Sequence, residues 1–581
     1  MRCFSVVLLA GSLLLTLSCD PPAPEDQVRQ LAEDFVDTSL ALSPSYATSQ
    51  GYHEHNGVDL DELLDDNTPH GIDEDRAFLN KSLGNLDRLS RMNISAESRA
   101  DLDVIRLQCE AGLLDLNRIQ TYRHNPTVYV ESLGNALYSP FILAYAPEGK
   151  RLAQITARIE KIPAYLDTAR DNLVSSPAIW TQVAQEEDQG NIDLIDKTIR
   201  AKVPPDLKGH YDAAAGKALA ALRSFDDFLK NDLSKRSYDW RLGATNYAAK
   251  FKLTLATGDT VEKALADAEA KLQSIREDMH RQALAVYPHY FPGEPPPQDT
   301  NLLISKVLEK IALHHATPET YFSDAKRDLA EVTQFVEAHH LLKLPPHSNL
   351  QVIPTPEFMR GLYGVGGFNP APAFEPELGA YYWITPFTPE MSKERIESKL
   401  REYDFDGLKI LTIHEAMPGH YVQFQYANEI QPRWRGILRS IFSNGPYVEG
   451  WAVYATELTI DSGYQNTPEM RLTFGKQMLR VVSNTILDIK LQTMGMTDQQ
   501  AMDLMINDTF QEREEAEKKL QRAKLSSCQL PTYFVGWRSW ERLRDAYKKT
   551  EGENFKLAQF HERALKEGAL PMPVLSKLLL H

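Results

Sequence analysis

ILTIHEAMPGHYVQF, residues Ile410 to Phe424, is the segment on which the reading of this chain turns. It carries the pair His414-Glu415 and, six positions after the first histidine, His420. In the pattern H-E-x-x-H, two histidines one helical turn apart grip a metal, and the glutamate between them handles a water. Each residue of a regular helix turns by about 100°, so a histidine four positions on returns to within about 40° of the first. By the same geometry His420 points about 120° away. Pro418 removes a backbone N–H and clashes with the preceding turn, while Gly419 tolerates unusual dihedrals. The pair predicts a bulge in one helix, which absorbs the extra positions and aims His420 at the same ion.

A second segment, NGPYVEGWAVYATELTIDSGY (444–464), reads as a helix with Glu449 in its opening turn. A hydrolytic zinc centre uses three protein ligands and leaves a position for water. His414, His420 and Glu449 supply that number, with Glu457 as the competing carboxylate eight residues on.

Around these motifs the chain is helical in pattern. VRQLAEDFVDTSLAL, KRLAQITARIEKIPAYLDTARDNLV and TVEKALADAEAKLQSIREDMHRQALAVY place apolar residues three and four apart. Proline and glycine in HYFPGEPPPQD (289–299) forbid helix and suggest a boundary. The expected organisation is a signal over 1–19, a tether over 20–28, an N-terminal helical region over 29–290 and a catalytic region over 291–581. Within the last, residues 349–388 are rich in Pro, Gly and aromatics, with strand-like pieces at LQVIP and AYYWITPF. The glycines there do not form G-x-G-x-x-G, so a small turn-rich sheet is expected and a nucleotide loop is not. The fold class is thus mainly α, a large helical body around a groove with a small β-sheet near residues 350–388.

Among the 581 residues, 80 acidic side chains outnumber 63 basic ones, for a formal net charge of −17. Such a surface repels nucleic acid and anionic lipid. MRCFSVVLLAGSLLLTLSCD opens with Arg2, an apolar run from Phe4 to Leu17 and then Cys19, the shape of a secretory signal. LTLSC resembles a bacterial lipobox, with Thr16 where leucine is usual, and predicts a lipid anchor on Cys19 at the envelope, with a plain secreted or periplasmic protein as the alternative. Cys109 and Cys528 remain in the mature chain, too few for a zinc ribbon or a disulfide framework. No G-x-S-x-G occurs and neither of these cysteines neighbours a histidine, so nucleophilic catalysis has no support.

HEAMPGH followed by EGWAVYATE resembles the bacterial family called "domain of unknown function 885", whose pattern is roughly H-E-x-x-P-G-H and then E-G-W-A-x-Y. That family resembles the gluzincin metallopeptidases and, in helical architecture, carboxypeptidase Taq. GMTDQQAMDLM, LPTYFVG and FHERALKEGALPMPVL resemble its later motifs, so the likeness covers about residues 380–581. Gln492 stands where the family has histidine, and LSSCQLPTYFVG lacks a glutamine at its usual place. The resemblance implies that His414, His420 and Glu449 bind Zn²⁺ and that Glu415 is the general base and acid. It further points to Tyr533, then His561, as oxyanion donor, and to Arg522 as a partner for a substrate carboxylate. The implied activity is hydrolysis of short peptides. A metal amidohydrolase acting on another amide, or an envelope lipoprotein that only binds, are the competing functions.

Overall fold

The computed structural model describes residues 22–345, 349–355, 360, 365–388 and 391–580. The expected signal and Cys19 lie outside these residues. Helix α1 (Pro24–Leu42) buries Val28, Leu31, Ala32, Phe35, Val36 and Leu40, the three-and-four spacing of one apolar stripe. Proline at its start and Glu25 and Asp26 in its first turn suit a helix N-terminus. Residues 24–28, expected as tether, are therefore helical.

Helix α2 (Val261–Tyr290) ends at the proline-rich break, as the sequence predicts. That break does not divide the core. Leu272 and Met279 before it share one apolar cluster with Leu479 and Val482 far after it. A second core, Tyr129 to Leu233, belongs to helices of the N-terminal half alone. Among the described residues no helix is long and apolar enough to cross a membrane.

The small sheet lies where the sequence places it. It comprises β1 (Leu350–Pro354), β2 (Gly366–Asn369) and β3 (Ala380–Ile384) in the order β1-β3-β2. β1 runs parallel to β3, and β2 antiparallel, with Phe368 opposite Tyr382. β2 is thus an edge strand. A hairpin of two-residue strands, Glu54–His55 and Val58–Asp59, is the remaining described sheet.

The rest of the site-bearing part is helical: α3 (Phe405–Glu415), α4 (His420–Asn428), α5 (Gly445–Asp461), α6 (Pro468–Thr493), α7 (Arg513–Leu525), α8 (Thr532–Glu551) and α9 (Leu557–Lys566). Asp404 caps α3 by accepting from Gly407 N–H at 2.8 Å, and Asn444 caps α5 by accepting from Tyr447 N–H at 3.2 Å. α5 and α8 cross where two glycines meet. A Cβ on Gly450 would stand 2.3 Å from the carbonyl carbon of Gly536. Backbone meets backbone there, and the crossing seats Glu449 and Tyr533 on adjacent helices.

Candidate metal centre

The two histidines come together by a route other than the expected bulge. α3 ends at Glu415 and α4 begins afresh at His420. Between them the chain turns back on α3: Met417 N–H donates to Thr412 O at 3.3 Å and Gly419 N–H to Ile413 O at 3.0 Å. Any Cβ at position 419 would lie 1.9 Å from His414 O, so only glycine fits this turn. Pro418 stops the first helix, as its missing N–H requires. The correction is physical: one bulged helix would leave the imidazoles to converge by distortion, whereas two short helices meeting at a tight turn aim them independently. Trp451 holds this turn from the second motif, its indole N–H donating to Pro418 O (3.0 Å) and Gly419 O (3.2 Å).

His414 Nε2 lies 3.7 Å and His420 Nε2 3.4 Å from the same oxygen, Glu449 Oε2. The imidazole planes stand at 84°, with centroids 4.8 Å apart. Burial pushes the Glu449 carboxyl up, but the charges of and contacts with His420 and His414 outweigh it and hold it well below the carboxylate range. His420 is raised, burial opposing and the Glu449 charge prevailing. Glu449 Oε2 and His420 Nδ1 are buried without a hydrogen-bond partner. One potential ligand atom from each of the three residues lies within 4.8 Å of the others. Tetrahedral ligands at about 2.1 Å from an ion stand about 3.4 Å from one another, so this donor set fits a divalent metal. Glu457 does not compete: its Oε2 accepts from Trp537 Nε1 at 2.7 Å.

Glu415 stands beside the cluster, and its Oε2 accepts from Phe368 N–H of β2 at 2.9 Å. The sheet therefore touches the centre through a backbone group, which no side-chain motif could disclose. His414 and Glu415 line a cavity of about 220 Å³ together with Tyr403, Asn484, Lys519, Arg522 and Tyr533. Burial, seconded by the Glu449 charge, pushes the Tyr533 hydroxyl up to about 12. Arg522 donates to Gln529 Oε1 at 2.9 Å.

His561 is elsewhere. It is 0% exposed, with Nε2 2.9 Å from the Tyr454 hydroxyl and Nδ1 2.7 Å from Leu341 O. Burial lowers it to about 4. With both nitrogens engaged in the core it cannot meet a substrate, and the expectation of a catalytic role is corrected to a structural one. Cys109 and Cys528 are both buried and free. Gln492 ties two loops, accepting from Leu242 N–H (2.9 Å) and donating to Ser526 O (3.2 Å).

Fold and site together define a mainly helical protein with a two-histidine, one-glutamate cluster of metal-binding type at the meeting of α3, α4 and α5. The chain belongs to the family described as "Bacterial protein of unknown function (DUF885)", matched over residues 44–579. Two solved structures are similar over nearly their whole length. One is a protein of unknown function from Shewanella oneidensis, described as a candidate lipoprotein: 29% identity, 95% of this chain and 100% of that one, TM-score 0.82. The other, a candidate lipoprotein from Colwellia psychrerythraea, has 18% identity over 96% of this chain and 98% of its own, with a TM-score of 0.79, and speaks for the fold alone. A carboxypeptidase from Pyrococcus furiosus superposes at a TM-score of only 0.41 with 10% identity, too loosely to bear on fold or activity. No curated protein matches.

Proposed function

We propose that this protein is a zinc-dependent peptidase of the bacterial envelope that hydrolyses peptide bonds in short peptides. The observation that carries the reading is the convergence of His414, His420 and Glu449 within 4.8 Å, with Glu415 next to them. Those three residues would hold the ion, whose Lewis acidity lets a water ionise near neutral pH. Glu415, steadied on one oxygen by Phe368 N–H, has the other with which to take the proton of that water and pass it to the leaving amine. Tyr533, kept protonated by burial, donates to the oxygen on which charge develops. The small sheet beside Glu415 aligns an extended peptide by strand addition. The Shewanella oneidensis protein, described as a candidate lipoprotein, supports an envelope location, and Cys19 is the proposed site of a lipid anchor.

Residues 20–581, purified and analysed for metal, should carry close to one ion per chain, and His420→Ala should lose it. Zinc is the favoured ion for this donor set, with cobalt and manganese as substitutes. Glu415→Gln should keep the metal and lower peptide hydrolysis by about 10²–10⁴-fold. Hydrolysis surviving in that variant overturns the mechanism.

A further inference from the structure

His53 sits between two carboxylates. Its Nδ1 lies 2.9 Å from Asp61 Oδ2 and its Nε2 3.3 Å from Glu375 Oε2, while the ring stacks on Tyr145 at 4.0 Å. Asp61 belongs to the same N-terminal segment and is buried, accepting from the Thr48 hydroxyl at 2.6 Å and the Gln154 amide at 3.2 Å. Glu375 belongs to the connection between β2 and β3. That connection is strapped onto residues 50–53. Phe374 N–H donates to Gln50 O at 3.0 Å, and the Phe374 and Tyr52 rings meet at 5.2 Å. Gly51, at φ +77°, leaves room for Glu375, since a Cβ there would lie 2.8 Å from the Glu375 Cγ. Arg433 also holds the connection, donating to Ala373 O at 2.5 Å. Seven residues before Glu375 in the chain stands Phe368, whose N–H meets Glu415.

A neutral imidazole has one N–H and one lone pair, so between two carboxylates it donates to one and turns a lone pair on the other. Only the imidazolium donates to both. The other charged and titratable groups nearby are engaged elsewhere. Arg158, beyond Asp61, donates to Thr48 Oγ1 (2.7 Å), Leu60 O (3.0 Å) and Pro44 O (3.1 Å). Asp59 accepts from Gln154 at 3.0 Å, and the Tyr145 hydroxyl donates to Gln154 Oε1 at 3.0 Å. His55 is turned to Tyr52 and Asn56. Burial opposes the charge on His53, but the hydrogen bonds to and charges of Asp61 and Glu375 outweigh it and raise His53 above the usual imidazole range. We propose that His53 is a pH-sensitive clasp, which as an imidazolium ties the β2–β3 connection to the N-terminal segment and on losing its proton lets go of Glu375. Asp61, the nearer partner, keeps the remaining N–H, so the break falls on the Glu375 side. The clasp is whole below about pH 6.5, where imidazole is ordinarily charged, and opens as pH rises through the higher value of the fold. Opening loosens the strand that brings Phe368 N–H to Glu415, and so couples the candidate metal centre to pH.

Amide hydrogen exchange read by mass spectrometry tests this on residues 20–581 at pH 6.0 and pH 8.5. Rates are corrected for intrinsic exchange, and peptides covering residues 366–379 are read relative to α2, which has no part in the clasp. Relative protection of 366–379 should fall about 3- to 10-fold at the higher pH. That is the lower part of the range for a hydrogen bond to a charged group, because His53 and Glu375 are both partly exposed. Glu375→Gln should abolish the fall, since its amide accepts from an imidazolium and donates to a neutral imidazole equally well. His53→Gln, which cannot titrate, should also give equal protection at the two pH values. Equal relative protection in the wild type overturns the clasp without any variant. A fall that persists in either variant places the pH response on other groups and overturns it too. Exchange is read without substrate or added metal, so the result is independent of the peptidase reading.

Discussion

Glu449 is a carboxylate that burial alone would keep protonated; two imidazoles facing one of its oxygens make it an anion instead. The same balance of desolvation against local partners separates neighbouring residues of like type. Lys518 and Lys519 are adjacent on α7, yet Lys518 is a half-exposed partner of Glu514 and Lys519 is buried against Asn484. Tyr533 stays protonated near neutral pH because burial pushes it up to about 12. Tyr533→Phe should therefore remove one donor to the developing oxyanion without disturbing the metal. The expected result is a fall in kcat of about 10²–10³-fold with metal content unchanged. Full activity in steady-state assays would take Tyr533 out of the mechanism.

At the scale of elements, the site is made by how helices stop and meet. The turn between α3 and α4 depends on Gly419, on Pro418 and on the indole of Trp451 reaching in from α5. Trp451→Phe keeps an aromatic ring in the core but withdraws both hydrogen bonds from the turn. Metal affinity should fall by about 10–100-fold, as for other residues that orient ligands, with far-ultraviolet circular dichroism unchanged. An unaltered affinity in a chelator competition would show that the turn holds without the indole. Gly419→Ala is harsher, since its Cβ would overlap backbone carbonyl oxygens of His414 and Ile413. It should cost more than about 3 kcal/mol, or abolish metal binding, in denaturant titrations.

For the whole molecule, buried carboxylates set the response to pH. Burial raises Asp404, Glu457 and Asp188 to about 7 and Glu187 to about 8. In the unfolded chain such groups titrate near 4. Between these values the folded state holds protons that the unfolded state has lost, so stability is highest at the acid side and declines as pH rises through about 7–8. His561, lowered to about 4, opposes this only below about 6.5, where the unfolded imidazole gains a proton. The melting temperature should therefore fall between pH 6.5 and pH 8 at constant ionic strength, by calorimetry. Each fully titrating group contributes at most about 1.4 kcal/mol per pH unit. Asp404→Asn keeps the cap on α3 and should flatten the slope; a melting temperature rising over this range would contradict the assignment.

The sequence by itself determined the helical body and the small sheet near residues 350–388, and it brought forward His414, His420 and a carboxylate of the EGWAVYATE segment as candidate ligands. Those are legible because apolar periodicity, proline and glycine punctuation and a His-Glu-His pattern are local properties of the chain. Tertiary structure decided the rest. It replaced a bulge by a helix break, because Gly419 packs onto the carbonyls of α3. It chose Glu449 over Glu457, because the two lie on one helix and only packing against α3, α4 and α8 distinguishes their surroundings. It moved His561 from the site to the core, where Tyr454 and Leu341 take both its nitrogens. It brought the backbone N–H of Phe368 to Glu415 and buried Lys519, out of a charged run whose local pattern marks no lysine apart. Contacts between residues dozens of positions apart carry no local signature, so packing alone decides which charges are buried and which face the candidate metal centre.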